Sequence, residues 1–548
     1  MDSKVILFLV LSILIIFLYP AFLEKMGIPV SEPSLLSKKE SIQHRMDATP
    51  TTKEVKDLSA KLGSPITKDE ISAPATPIAE VEQVIETDLY KAVLSNVGGT
   101  IKRWELKNYT GKDETGKEHQ INLIKKLSKT LPLELCDIKN TICSVYKYSM
   151  AGGSIRLNSA KKEATIAMVA IGPEGEKIRK ELRFYNDDYR VDVNIYYDGP
   201  EKDYVLFLGN NFGINEWGGL SDAGAIGLVE NDLVKVDFTK VEGKFTYQNL
   251  PKWSALHDKY FIGALIINDE DRVGPVSVFK NKENEIETRI NFSIKGGEKR
   301  GFSLYAGPKE YERLSRFKVY LEESIDFGWF ITGSWLPVRL VAKPLFYILQ
   351  WLYQLSHNYG VSIILLTVFV KALFFPLTKK SLMSMKAMAA MQPKVAAIRK
   401  QWEKNKEKMN KELMNLYKEE KINPLGGCLP MLLQMPIFIS LFNVLSVTIE
   451  LRHAPFMLWV QDLSDKDPYY VLPVIMGASM FLQQLTQPNT MDPVQAKIML
   501  FLPVIYTFSF LNFPSGLVLY WLVNNILSIA QQYMMNREGL SLAKASAA

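Results

Sequence analysis

The sequence predicts a multi-pass α-helical membrane protein of six spans joined to a large extracytoplasmic antiparallel β-sandwich domain. Three observations carry that prediction. From residue 425 to residue 535 only eight residues are charged, too few to cover a water-soluble domain. Six stretches approach the roughly 20 apolar residues that cross about 30 Å of hydrocarbon at about 1.5 Å per residue. Between the first two of them lies a long segment of short β-rich runs, broken by Gly, Asn and Asp.

Taken in order, residues 1–24 are an uncleaved anchor, because 5–23 carries no charge and no small-residue cleavage pattern. Residues 25–87, rich in Pro, Ser, Thr and Lys without a sustained apolar period, read as a disordered tether. Residues 88–320 form the sandwich, on runs such as Arg190-Val191-Asp192-Val193-Asn194-Ile195. Its Trp104, Trp217 and Trp253 suit either a sandwich core, the commoner use, or a sugar-stacking platform. Cys136 and Cys143 fall in this domain, where an oxidising compartment permits a disulfide and geometry decides it. Residues 321–356 hold an amphipathic interfacial helix, its apolar face interrupted by Arg339, Lys343 and Gln350. The second span is 357–378, a basic cytoplasmic helical hairpin fills 379–424, and 537–548 is a short tail. Four further spans occupy 425–536, at 425–449, 469–485, 498–513 and 516–535. The last two are joined by Phe513-Pro514-Ser515-Gly516, which leaves room only for a tight turn.

Orientation follows from the basic residues of short loops. Residues 379–424 carry twelve Lys and Arg against five acids, a net +7, whereas 450–468 carry four acids against two bases. The first loop is therefore cytoplasmic and the second outside, which puts both termini inside and the sandwich outside. The whole chain has a net charge of +6, so everything but the basic loop sums to −1 and a generic nucleic-acid binder is excluded. Three cysteines, five scattered histidines and no phosphate-binding or nucleophile motif indicate no enzyme, no metal, no cofactor and no small-molecule substrate.

Lys371 carries the chemistry. It interrupts the second span, where an ammonium costs on the order of 2.5 to 3.5 kcal/mol at mid-bilayer, so it faces water, a partner or a polar cavity. Thr367 one turn away, Gln434 in the third span, and Asn524 and Asn525 in the sixth suggest the cavity. No span holds an Asp or Glu, so the counter-charge has to come from a transient visitor. In the basic loop Met388, Met391, Val395, Ile398 and Trp402 form one apolar stripe, with Met409, Leu413, Leu416 and Tyr417 opposite. Its methionines either pack the two helices together, the commoner use, or offer clients an adaptable surface. Its basic side chains, Lys394, Arg399 and Lys400 among them, suit anionic lipids, ribosomal RNA or acidic client segments.

Several strings, in order and spacing, resemble the YidC/Oxa family of membrane protein insertases in its Gram-negative form. They are Asp326-Phe327-Gly328-Trp329, the second span through Pro376-Leu377-Thr378, and Asn423-Pro424-Leu425-Gly426-Gly427-Cys428-Leu429-Pro430 running into Gln434-Met435-Pro436-Ile437-Phe438. Glu450-Leu451-Arg452-His453-Ala454-Pro455-Phe456, Asp467-Pro468-Tyr469-Tyr470 and Phe513-Pro514-Ser515-Gly516-Leu517-Val518-Leu519-Tyr520 follow. The resemblance implies a five-helix core around a polar groove, open to cytoplasm and lipid, in a bacterial inner membrane. It implies that Lys371 stands where the family usually has Arg, that Thr367 is a groove residue, and that Trp521 replaces a second Tyr. Met435, Pro436 and Phe438, with Val504 and Ile505, would form the slide along which client helices pass. The implied partners are nascent membrane proteins, the Sec translocon, signal recognition components and the ribosome. The tail, with Arg537 and Lys544 as its only bases, would tether the ribosome weakly. Two other readings, a membrane-anchored periplasmic carbohydrate sensor and a secondary transporter, predict a working β-domain and inverted repeats with intramembrane acids, respectively.

Overall fold

A computed structural model describes residues 80–546 except 113–116, 126–127, 139–145, 216–222, 237–242, 282, 328, 331–332, 335, 404, 421–428 and 488–492. The anchor, most of the tether, Trp217, Cys143 and the side chain of Gln434 lie outside the described residues.

The outer domain is a sandwich built on one eight-stranded sheet. Its strands run in space from Asp232–Val236 through Gly224–Val229, Pro251–His257, Phe261–Ile267, Lys299–Pro308, Arg190–Asp198 and Lys177–Tyr185 to Glu163–Ile171, every neighbour antiparallel. Alternation explains its inner face: Ile178, Leu182 and Phe184 point inward from one strand, and Val191, Val193, Ile195 and Tyr197 from the next. Two five-stranded sheets cover it. The sandwich starts earlier than residue 88. Glu82–Glu86, assigned above to the tether, pairs antiparallel with Tyr90–Ser95 and parallel with Gly153–Arg156, burying Gln83 and Ile85. Five residues ahead of a Thr-Asp turn are too short to show alternation. Trp104 and Trp253 are fully buried, Trp104 stacked on Tyr90, so both belong to the core and neither offers a face to a sugar. Cys136 is disulfide-bonded.

Among the described residues a short helix, Tyr311–Ser315, and then eight longer ones follow. α1 (Leu336–Ser356) is the interfacial helix, with Leu340, Tyr347, Trp351 and Leu355 exposed along one side. α2 (Tyr359–Ala390) starts where the Asn358 carboxamide oxygen accepts the amide of Val361 at 3.1 Å. It does not stop at residue 378: the helix runs unbroken into the basic loop, so the first arm of the hairpin begins inside α2. α3 (Gln392–Gln401) and α4 (Lys406–Glu419) complete the hairpin, and Asn405 caps α4 at 3.0 Å to Lys408. α5 (Leu429–Val447), α6 (Val471–Thr486), α7 (Pro493–Phe510) and α8 (Ser515–Ser546) carry the remaining apolar stretches. Among the described residues only α2 is long and apolar enough by itself to cross a membrane; apolar stretches of α5, α6 and α7 are shorter. Val474, Ile475, Leu482 and Leu485 of α6, with Phe501, Val504, Ile505 and Phe508 of α7, nevertheless point outward. Such a belt of bare large side chains is untenable in water and natural in lipid.

The turn between α7 and α8 docks on the outer loop, where the amides of Ser515 and Gly516 donate to the carbonyls of Asp465 (2.7 Å) and Leu463 (2.9 Å). The sandwich is fastened to the same end. Glu323 pairs with Arg339 (2.5 Å) and Lys343 (2.6 Å) of α1, Asn443 of α5 donates to the Phe327 carbonyl at 3.0 Å, and Arg452 donates to the Thr110 carbonyl at 3.0 Å.

Candidate functional site

α8 is the spine of the site, packing along α2 on one side and α6 on the other. Its polar residues recur at 524, 525, 528 and 532, a spacing that keeps them near one face of a helix. Toward α2, Lys371 Nζ donates to Ser528 Oγ at 2.7 Å and Ser528 Oγ donates to the Asn524 carbonyl at 2.8 Å. Toward α6, Asn525 Nδ2 donates to Ser479 Oγ at 3.0 Å, and that hydroxyl donates to the Met476 carbonyl at 2.6 Å. The Thr486 hydroxyl meets the Gln532 amide oxygen a few turns further on.

Lys371 is half-buried, and among the described residues no carboxylate pairs with it. Thr367 is fully buried, and its hydroxyl donates to the Ile363 carbonyl of its own helix at 2.6 Å. That bond is the usual refuge of a threonine in an apolar helix, and it turns the hydroxyl away from Lys371.

Trp521 lies in different company. Its ring packs against Phe438 of α5 (4.8 Å between centroids) and against Phe510 (4.8 Å) and Tyr506 (5.5 Å) of α7. The indole therefore wedges α5 and α7 apart. Outside that wedge Met435, Val504 and Ile505 are exposed, while Pro436 and Phe438 are half-buried. The expected polar residues are thus divided: Lys371 reaches α8 through Ser528 and the Asn524 carbonyl, Asn525 bonds on the α6 side, and Thr367 bonds within its own helix, while Trp521 and Phe438 meet between α5 and α7 with Met435, Val504 and Ile505 exposed outside them. The sequence reading missed Ser528 and Ser479. Ser528 had a signal, since it extends the Trp521, Asn524, Asn525 series by one more turn; Ser479, a lone small polar residue in a span, had none.

In the hairpin Met391 and Val395 are buried and Met388 is half-buried, so these side chains pack the helices together. Lys394 pairs with Glu420 at 2.5 Å on the surface, where water and salt screen the attraction. Arg399 and Lys400 face solvent.

Fold and site together define a polytopic helical membrane protein with a large β-sandwich domain and a lone ammonium bonded to a serine between two of its helices. Comparison with known proteins narrows that class. The family described as 60Kd inner membrane protein matches residues 351–541, and the one described as YidC periplasmic domain matches residues 82–348. A membrane protein insertase YidC of Syntrophus aciditrophicus is 37% identical over 98% of this chain and 100% of its own length. The corresponding protein of Geotalea uraniireducens is 40% identical over 83% and 86%. A crystal structure of an active YidC insertase aligns with 84% of this chain and 93% of its own at 18% identity and a TM-score of 0.36. The chain belongs to the YidC/Oxa family of membrane protein insertases.

Proposed function

We propose that this insertase moves its clients by an electrostatic handover at Lys371 followed by an apolar slide. A nascent membrane protein presents its hydrophilic, often acidic, outer segment to the polar residues around Lys371, where weak screening makes attraction to the ammonium effective. The apolar segment behind it passes over Met435, Pro436 and Phe438 on one wall and Val504 and Ile505 on the other, out to lipid. Burial of the client's apolar surface drives the step, and the membrane potential helps an acidic segment outward. No nucleotide is needed. The observation that carries this reading is the Lys371 ammonium held by a serine hydroxyl, with no carboxylate paired to it among the described residues. Gln434, on α5, is assigned to the same groove on the sequence pattern alone.

The partners beyond the clients follow from surface chemistry. Arg399 and Lys400 suit anionic lipid headgroups or ribosomal RNA at the cytoplasmic face, and a Sec translocon and signal recognition components are the partners the family resemblance suggests. The sandwich lies in the periplasm and both ends of the chain lie in the cytoplasm.

Replacing Lys371 by Ala is expected to slow insertion of a client with an acidic outer segment roughly tenfold, the worth of one charge-assisted bond. A client with an uncharged outer segment should be affected far less. Insertion assays on the two clients in the same membranes decide the matter, and equal behaviour of both would remove the electrostatic half of the mechanism.

A further inference from the structure

The hydroxyl under Lys371 has a fixed polarity. Ser528 commits its single proton to the Asn524 carbonyl one turn back, at 2.8 Å, so toward Lys371 its oxygen acts as acceptor alone, at 2.7 Å. The bond crosses from α8 to α2. A lysine stem carries roughly 2 kcal/mol of rotamer entropy, so its charge has no preferred depth unless something selects one. A neutral acceptor selects without cancelling. The bond to the serine already has an ionised donor, and a carboxylate adds to it the Coulomb attraction of an opposite charge, which is large where screening is weak. A carboxylate arriving from outside therefore takes the ammonium from the serine, whereas a carboxylate built in at that place would keep it. Thr367, fully buried and donating to the Ile363 carbonyl, is not the acceptor that the ammonium reaches; Ser528 is.

We propose that Ser528 is the positioning residue of the insertase: it holds the Lys371 ammonium across the helix pair in a displaceable bond and thereby sets the preference for clients with acidic outer segments. The proposal rests on the reading of Lys371 given above and assigns to Ser528 no contact with the client.

The test uses the full chain in membranes and reads one ratio, insertion of a client with an acidic outer segment over insertion of the same client with that segment uncharged. A variant that accumulates poorly lowers both clients alike and leaves the ratio alone. Ser528→Ala should lower the ratio roughly threefold, short of the loss in Lys371→Ala because the ammonium itself remains. Ser528→Thr, which keeps the hydroxyl, should restore it. Ser528→Asp gives Lys371 a permanent partner and should drop the ratio to that of Lys371→Ala. Wild-type ratios in both Ser528→Ala and Ser528→Asp, with a lowered ratio in Lys371→Ala, would overturn the role of Ser528 and leave the lysine reading standing. A Thr variant as impaired as the Ala variant would assign the effect to helix packing and also overturn it. A wild-type ratio in Lys371→Ala would remove the lysine reading itself, and the proposal with it.

Discussion

Lys180 occupies an inward position of its strand that alternation reserves for apolar side chains, and it is completely buried. Its ammonium donates to the carbonyls of Leu133 (2.7 Å), Gly98 (2.9 Å) and Gly99 (3.4 Å), which ties a turn and a loop to the eight-stranded sheet. Burial pushes its pKa down to about 7, with Glu134 pulling the other way. The unfolded chain keeps the ordinary lysine value near 10.4 and so binds more protons than the folded one between about pH 7 and that value. Stability of the sandwich is therefore expected to rise with pH across this window, and Lys180→Met should flatten the rise in thermal unfolding of the full chain in detergent. His257 works in the same direction at lower pH. Burial and then Lys309 and Lys235 hold its imidazole well below the usual range, so the folded state stays neutral where the unfolded state takes up a proton, below about pH 6.5. Acidification below that point should destabilise the domain, less so in His257→Gln. Neither residue was legible beforehand: a lysine in an alternating strand and a histidine at a strand end read as surface.

Among the elements, α6 and α7 meet where a side chain is missing. A Cβ on Gly477 would lie 1.8 Å from Thr507 Oγ1, and that hydroxyl is anchored to the Pro503 carbonyl at 2.8 Å. Gly477→Ala should destabilise by about 1 to 3 kcal/mol through overpacking, and pairing it with Thr507→Ala should recover most of the loss in detergent melting. The start of α6 has its own device. The buried carboxylate of Asp467 accepts the amides of Tyr469 at 3.0 Å and Leu472 at 2.7 Å, which accounts for the acid in the Asp467-Pro468-Tyr469-Tyr470 string. Asp467→Ala leaves two amide donors unsatisfied and should cost about 1 to 2 kcal/mol. Most helix starts were legible from hydropathy to within about five residues, but not the continuity of two helices: α8 runs through the expected tail to Ser546, and α2 through the expected end of its span. Lys379, Lys380 and Lys386 read as the end of a span, whereas α2 carries on through them, with Lys386 Nζ donating to the Met535 carbonyl of α8 at 3.2 Å.

For the whole molecule the two-part architecture was legible because lipid and water impose opposite patterns on a chain. How the parts are fastened was not. Arg452 meets the Thr110 carbonyl across 342 residues of sequence, and its guanidinium stands over the rings of Tyr260 and Phe261 at 5.3 and 5.5 Å. No periodicity reports such a contact. Arg452→Ala is expected to raise amide exchange in the strand Thr100–Lys112 and in the loop between α5 and α6 together, with little change around Lys180; unchanged exchange in both would show that Glu323 and Asn443 suffice to hold the sandwich. The candidate site was half legible: the intramembrane charge declared itself by its cost, but its acceptor, a serine among many, did not.

The unbroken course of α2 ties two ends of the molecule mechanically. Met388 and Lys371 ride on one rod, 17 positions or about 26 Å apart along its axis. A tilt of the basic hairpin's first arm would therefore be carried along the same helix toward Lys371, and Pro376, the one residue between them that contributes no amide to the helix, is where that helix can bend.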